Sequence, residues 1–424
     1  MAAAPVVAAC SSTSASGGAS SAGPAKGVSV MASQGWVHDA ELALAKKYET
    51  QTGAHIDYQI VPSDQYPTLL TTKLNSGQAA DIFMNQSGKF DIVSQMQIQK
   101  NGVDLTDQEW VGRLTGAVKD QVSADSKVYG LTIWDLSDSY SYLYNKTIFD
   151  KYSLQAPTSF AEFQNVCATL KKAGVQPIYE PMKDGWHHQL NFFDVSAAYD
   201  ASDSGLVTDL NANKTTFVAH TIFKQMIEQM KQIYSAGYWG DNALSDQVSG
   251  GPAAMAAGKA AMYVGFMGGT SDIAAVKGQY GAADFGIFPA PYLDNQTISE
   301  TPAGPSKFVY SKSSNIDGAK KYLAFLAQPE NLQYMIDNEA TFNALPFSGL
   351  KTKYSTVMQD AIKKYKPGNH TVYQNAVIYL NPQWMNFGAD LTSFLTGALT
   401  SDQVIAKLDQ RRGDQAKTAK DTNW

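Results

Sequence analysis

Long apolar runs, basic clusters and the usual catalytic or metal-binding signatures are all missing from this 424-residue chain. No run of roughly 18 or more apolar residues occurs, so nothing after the N-terminus is expected to span a bilayer. Lys and Arg reach no higher density than pairs such as Lys46-Lys47 and Arg411-Arg412, and the net charge is −6 with a pI near 5.5. That balance argues against a nucleic-acid partner. There is no Gly-X-Ser-X-Gly elbow to present a serine nucleophile. Neither His-Glu-X-X-His nor Cys-X-X-Cys accompanies the adjacent His187-His188, which a helix would splay about 100° apart, so no metal site is expected there and no cofactor is implied.

What is present is a globular composition: 44% apolar, 17% charged, with 22 Tyr, 18 Phe and 7 Trp. The length points to two or three domains rather than one core. Only two cysteines occur. Cys167 lies in "FQNVCATL", where Phe163, Val166, Cys167 and Leu170 share one helical face, and it reads as a buried apolar thiol. Cys10 closes "PVVAAC" ahead of "SSTSASGGASSAGPAKG". Val7-Ala8-Ala9-Cys10 resembles the lipobox of a bacterial lipoprotein, with Cys10 as the lipid attachment point and the Ser/Gly/Ala stretch as a flexible tether. No basic segment precedes it, so the leader reads as truncated. A lipid anchor implies an extracellular location on the bacterial surface, with Cys10 as the only membrane contact.

From residue 28 short β runs alternate with amphipathic helices. "VSVMAS", "AHIDYQIVP" and "ADIFMNQSG" read as strands, and "DAELALAKKYETQTG" and "DQYPTLLTTKLNSG" as helices stopped by Gly53 and Gly77. A second series follows: strands "KVYGLTIW", "SYSYLYN" and "VQPIYEP", a helix "TSFAEFQNVCATLKKAG" opened by a Ser159/Glu162 capping box, and "TIFKQMIEQMKQIYSAG" ended by Gly237. The remainder is mostly helical. Alternation of this kind predicts an α/β fold.

"PAAMAAGKAAMYVGFMGG", residues 252 to 269, has the look of a phosphate loop. A Walker A loop needs a glycine where Ala253 stands and a hydroxyl where Ala260 stands, so that chemistry is excluded. The segment reads instead as a helix to Ala257, a turn at Gly258, a strand "AAMYVGF" and a loop. Aromatic and polar residues fall at predicted strand ends: Trp36, Asn85 and Gln86, Trp134 and Asp138, Trp186 and His187, Phe266 and Met267, and Trp384. An α/β sheet places ligands at such carboxyl ends. Aromatic faces against the C–H face of a pyranose, with Asp, Asn and Gln for its hydroxyls, suit a neutral carbohydrate.

Four stretches carry a family resemblance over residues 28 to 424: "ALAKKYETQTGAHIDYQIV", "SYLYNKTIFDKY", "AMAAGKAAMYVGFMGG" and "NPQWMNFGADLTSFLTGALTSDQVIAKLD". In this order the chain resembles the extracellular solute-binding proteins of ABC sugar importers, the group that includes the maltodextrin-binding protein. The resemblance implies two hinge-linked α/β lobes with a ligand cleft, residues 28–136 plus 286–342 forming one lobe and 137–285 plus 343–424 the other, after an N-terminal segment 1–27. Chain crossings are then expected near 137, 285 and 343. It also implies ligand contacts at Trp36, Asn85, Asp138 and Trp384, an aromatic platform near Trp186, capture by lobe closure, and a membrane permease as partner of a monomer. Where the family often has a tryptophan, this chain has Phe266-Met267-Gly268. A secreted carbohydrate hydrolase and a binder of a non-sugar solute remain the alternatives.

Overall fold

The computed structural model describes residues 26–63, 65–88, 91–135, 139–365 and 370–424. The expectations for Cys10 and Asp138 lie outside the described residues. In chain order the strands are β1 (Val28–Ser33), β2 (Ile56–Val61), β3 (Ile82–Gln86), the small hairpin β4 (Ser123–Ala124) and β5 (Lys127–Val128), and β6 (Gly130–Thr132). They continue with β7 (Tyr140–Asn145), β8 (Gln176–Tyr179), β9 (Ala260–Phe266), β10 (Phe285–Phe288) and β11 (Pro305–Val309). Two main sheets result, with orders β2-β1-β3-β11-β6 and β10-β7-β9-β8. β1 runs parallel to β2 and β3, and β11 lies antiparallel between β3 and β6. In the second sheet β7 is antiparallel to both β10 and β9, whereas β8 and β9 are parallel.

Each sheet has its own apolar core. Val30, Ile82, Phe83, Leu131 and Phe308 pack with Leu44, Leu74, Leu323 and Met335 from the helices around the first. Leu143, Ile178, Met262, Val264 and Phe288 pack with Phe163, Cys167, Met230 and Leu391 around the second. Two cores with helices on their sheets are the two α/β lobes expected, and the helix boundaries follow local chemistry. Gly53, Gly77, Gly174 and Gly237 all adopt left-handed conformations past a helix end. Gly258 does the same at φ 67°, its N–H bonding to Met255 O and that of Lys259 to Ala254 O, both at 3.0 Å. A Cβ at Gly258 would also lie 2.6 Å from the Tyr280 ring, so the Gly-Lys pair turns a helix (Gly251–Ala256) into β9. The capping box is only half formed. Ser159 Oγ accepts from Glu162 N at 3.2 Å, but the Glu162 carboxylate accepts from the N–H and hydroxyl of Thr158, both at 2.7 Å.

Three crossings join the lobes. The first lies between β6 and β7. The second does not fall at 285, because β10 pairs with β7 from Phe285↔Asn145 to Phe288↔Tyr142, and Tyr292 and Ile298 still pack in the second core. Ser299 donates to Asp194 O in the second lobe at 3.0 Å, and Gly304 N–H donates to Ser87 Oγ in the first at 3.0 Å. That crossing therefore lies between Ser299 and Gly304. The third lies past 343: Phe347 bridges to Leu114 and Leu350 packs on the first core, whereas Tyr354 packs on the second. At the hinge the buried Asp135 carboxylate accepts from the backbone N–H groups of Asn343 (2.5 Å) and Ala344 (3.2 Å). It thereby ties the first crossing to the approach of the third.

Candidate functional site

β1, β3 and β6 run in one direction, so their carboxyl ends share one edge of the first sheet. That edge carries Trp36, Asn85 with Gln86, and Trp134. Trp36 packs edge-on to Tyr66 (5.4 Å), and the Tyr66 hydroxyl donates to the carbonyls of Met31 and Met84 near the same strand ends. Trp134 lies 5.0 Å from His38 and 6.0 Å from Phe342, with His38 4.7 Å from Phe342. His38 stands two residues after Trp36 and therefore joins the two tryptophan-bearing segments. Its Nε2 is buried with no hydrogen-bond partner. Burial holds this imidazole below the usual histidine range, against the pull of Glu339 and Glu41. Asn85 is half-buried and Gln86 exposed, so both can offer side-chain amides to a ligand.

In the second lobe the carboxyl ends of β8 and β9 share an edge with the start of β7. Phe266 stacks on its cross-strand partner Tyr140 at 4.1 Å and 27°, and it is 41% exposed, which leaves an open aromatic face. Trp186, on the loop after β8, stacks on Trp384 at 6.4 Å and 29°. Trp384 in turn stacks on Phe193 at 5.6 Å and 20°. Trp384 opens the helix Trp384–Leu395, whose Gly388 meets the Trp186 loop so closely that a Cβ there would fall 1.9 Å from Gly185 O. Glycine is required at that contact. Met385 beside Trp384 is 54% exposed, which extends the apolar face.

Two nominated residues are placed differently from expectation. His187 and Met267 are both 0% exposed and lie behind the wall instead of on it. The His187 ring is taken up by Glu180 Oε1 (2.5 Å) and Val264 O (2.9 Å), and the Met267 side chain packs in the second core. Sequence reasoning missed His38, Tyr140 and Phe193. Only Tyr140 left a signal, since the alternation in "SYSYLYN" sets it at a strand end.

A groove of about 990 Å³ lies between the lobes, lined by Gln95, Gln97 and Asp125 on one side and Tyr379, Pro382 and Gln415 on the other. A smaller cavity of about 300 Å³ lies by β10 among Tyr144, Lys146, Asp360 and Lys364. None of the nominated aromatics lines either one. Among the described residues no group of three or more His, Cys, Asp or Glu is placed to hold a metal ion, and no helix is long and apolar enough to cross a membrane.

No curated protein matches the chain by sequence. Its fold is similar to solved structures that it covers almost completely. One is a chitin oligosaccharide binding protein, at TM-score 0.76 and 18% identity, with 92% of this chain and 99% of that one aligned. Another is a sugar transporter protein from Bacillus licheniformis in complex with stachyose, at TM-score 0.72 and 18% identity over 92% and 100% of the two chains. A third is a family 1 extracellular solute-binding protein from Bifidobacterium longum subsp. infantis, at TM-score 0.68 and 18% identity over 93% and 100%. At such identities these likenesses establish the two-lobed solute-binding fold. The sequence itself matches the family over residues 35–333, and with its two lobes and aromatic strand ends the chain belongs to the bacterial extracellular solute-binding proteins.

Proposed function

We propose that this protein captures a neutral saccharide between its lobes and delivers it to an ABC transporter permease, held at the bacterial surface by a lipid on Cys10. The observation that carries this reading is the aromatic wall of the second lobe: Trp186 stacked on Trp384, Trp384 on Phe193, and Phe266 on Tyr140. Trp36, Asn85, Gln86 and Trp134 stand at the strand ends of the first lobe. Flat apolar faces beside uncharged hydrogen-bonding groups match the C–H faces and hydroxyls of a sugar ring. The hinge supplies the motion. A ligand that touches both walls favours the closed arrangement by its differential affinity for it.

Related folds support the ligand class, since one is a chitin oligosaccharide binding protein and another holds stachyose. The reading is of binding without turnover by a monomer. The test is a thermal-shift panel of mono- to tetrasaccharides, with chromatography of each mixture. Stabilisation by at least one saccharide with no product is expected. Product formation points to a hydrolase instead, and a panel without any stabilisation overturns the saccharide reading.

A further inference from the structure

We propose that His187 is a positioning residue for Trp186. One imidazole, bonded at both ring nitrogens, closes the loop that carries Trp186 and ties it to the strand that carries Phe266. The purpose of the wall rests on the saccharide reading, but the bonding described next does not depend on it.

The loop leaves β8 at Glu180 and returns at His187, and these two side chains meet across its neck at 2.5 Å. Both residues are 0% exposed. The other ring nitrogen, Nε2, lies 2.9 Å from Val264 O, two residues before Phe266 on β9. A backbone carbonyl only accepts, so Nε2 carries a proton. On the other side Tyr142 donates to Asn191 Oδ1 at 2.8 Å, which turns the Asn191 amide N–H toward Glu180 Oε2 at 3.2 Å. That oxygen therefore accepts. One further proton sits between Nδ1 and Glu180 Oε1, and the pair is neutral overall.

Every polar atom of the cluster thus has a partner in one arrangement. A satisfied buried network of this kind specifies position, because any shift leaves a desolvated group unpaired. Ring orientation is fixed as well: His187 lies parallel to Tyr263 at 5.4 Å and 12°, and against Trp186 at 5.4 Å. The loop tip is held separately by backbone bonds from Met182 to Ala243 (2.8 Å) and from Lys183 to Asp246 (3.1 Å). Those bonds set the height of the loop, and His187 sets its distance from β9. The spacing between Trp186 and Phe266, and so the width of the wall presented to a ligand, depends on this ring together with the Gly185–Gly388 contact described above.

The hydrogen-bond pattern makes unequal demands on the two partners. In Glu180→Gln the new amide oxygen accepts from Asn191, its N–H donates to Nδ1, and Nε2–H still donates to Val264, so a neutral histidine keeps every bond. In His187→Gln one amide nitrogen cannot reach acceptors on opposite sides, and one bond is lost. Glu180→Leu removes the acceptor altogether. The full chain labelled with 5-fluorotryptophan separates these cases by fluorine NMR, with Trp186 assigned from Trp186→Phe.

In His187→Gln and Glu180→Leu the Trp186 signal and that of the stacked Trp384 are expected to shift or broaden, while Trp110 and Trp239 stay in place. Glu180→Gln is expected to reproduce the wild-type spectrum. An unmoved Trp186 signal in His187→Gln, or a Glu180→Gln spectrum as disturbed as that of Glu180→Leu, overturns the proposal. Should the two disruptive variants not fold, nitrogen-15 histidine spectra of the wild type decide: an unprotonated His187 Nε2 overturns it and a protonated one upholds the bonding. A wild-type protein that no saccharide stabilises sinks the functional reading and leaves this one to the spectra.

Discussion

Replacing Trp384 with alanine tests the aromatic wall most directly, because the half-buried Trp384 stacks with both Trp186 and Phe193. A sugar ring that covers about a third of an indole of roughly 200 Å² hides about 65 Å², worth ~1.6 kcal/mol at ~25 cal/mol per Å². That corresponds to about a 15-fold weaker Kd on truncation. The side chain is only half-buried, so its loss is expected to destabilise the fold by less than the ~3–5 kcal/mol typical of a core tryptophan. Trp384→Phe keeps a ring over Phe193 and should recover most of the affinity. The assay is calorimetric titration of wild type and both variants with the saccharide that stabilises the protein most, at a temperature well below each unfolding midpoint. An alanine variant that binds within twofold of wild type refutes the stacking role. An alanine variant that unfolds below the assay temperature contradicts the expectation of a modest stability cost.

Three further outcomes are expected. Asp135→Ala leaves two buried backbone N–H groups at the hinge without an acceptor. Each costs ~1–3 kcal/mol, so calorimetry should show a fall of several degrees in Tm, and an unchanged Tm rejects the hinge bond. Gly388→Ala drives a methyl into Gly185 O and must push the Trp186 loop outward; about 1–3 kcal/mol of lost stability and a weaker saccharide Kd should appear together. Loss of one without the other separates the loop from the wall. For pH, burial raises the phenol pKa of Tyr66, Tyr142 and Tyr199 above the ordinary value of 10.0. These groups hold their protons in the folded state after the unfolded chain has begun to release them, so their contribution is complete below about pH 10 and is lost as pH rises above it. The buried Cys167 thiol, raised by burial above its ordinary value of 9.0, adds a loss that begins above about pH 9, so urea midpoints measured from pH 8 to 11.5 should fall beyond about pH 9 and more steeply beyond about pH 10.

Much of this molecule was legible in the chain because it depends on near neighbours. Helix ends follow from a left-handed glycine a few residues past the last turn, as at Gly53 and Gly258. Strand ends follow from period and turn chemistry, and those ends carry Trp36, Asn85, Trp134 and Phe266. Family-like order along the chain implied the two lobes. Contacts across long separations were not legible. The run "FGIF" has the same apolar character whichever sheet it joins, and only its pairing with β7 keeps it in the second lobe and moves the crossing past Ser299. His187 follows Trp186 on the loop after β8, yet it lies in the core because Glu180 and Val264 hold both its nitrogens. Trp384 meets Trp186 and Phe193 nearly two hundred residues away. Local sequence determined which backbone elements form, since the energies that start and stop them act within a few residues. Which side chains stay exposed at the ends of the sheets, and which are drawn into the core, was decided by hydrogen bonds and packing that exist only once the sheets are assembled.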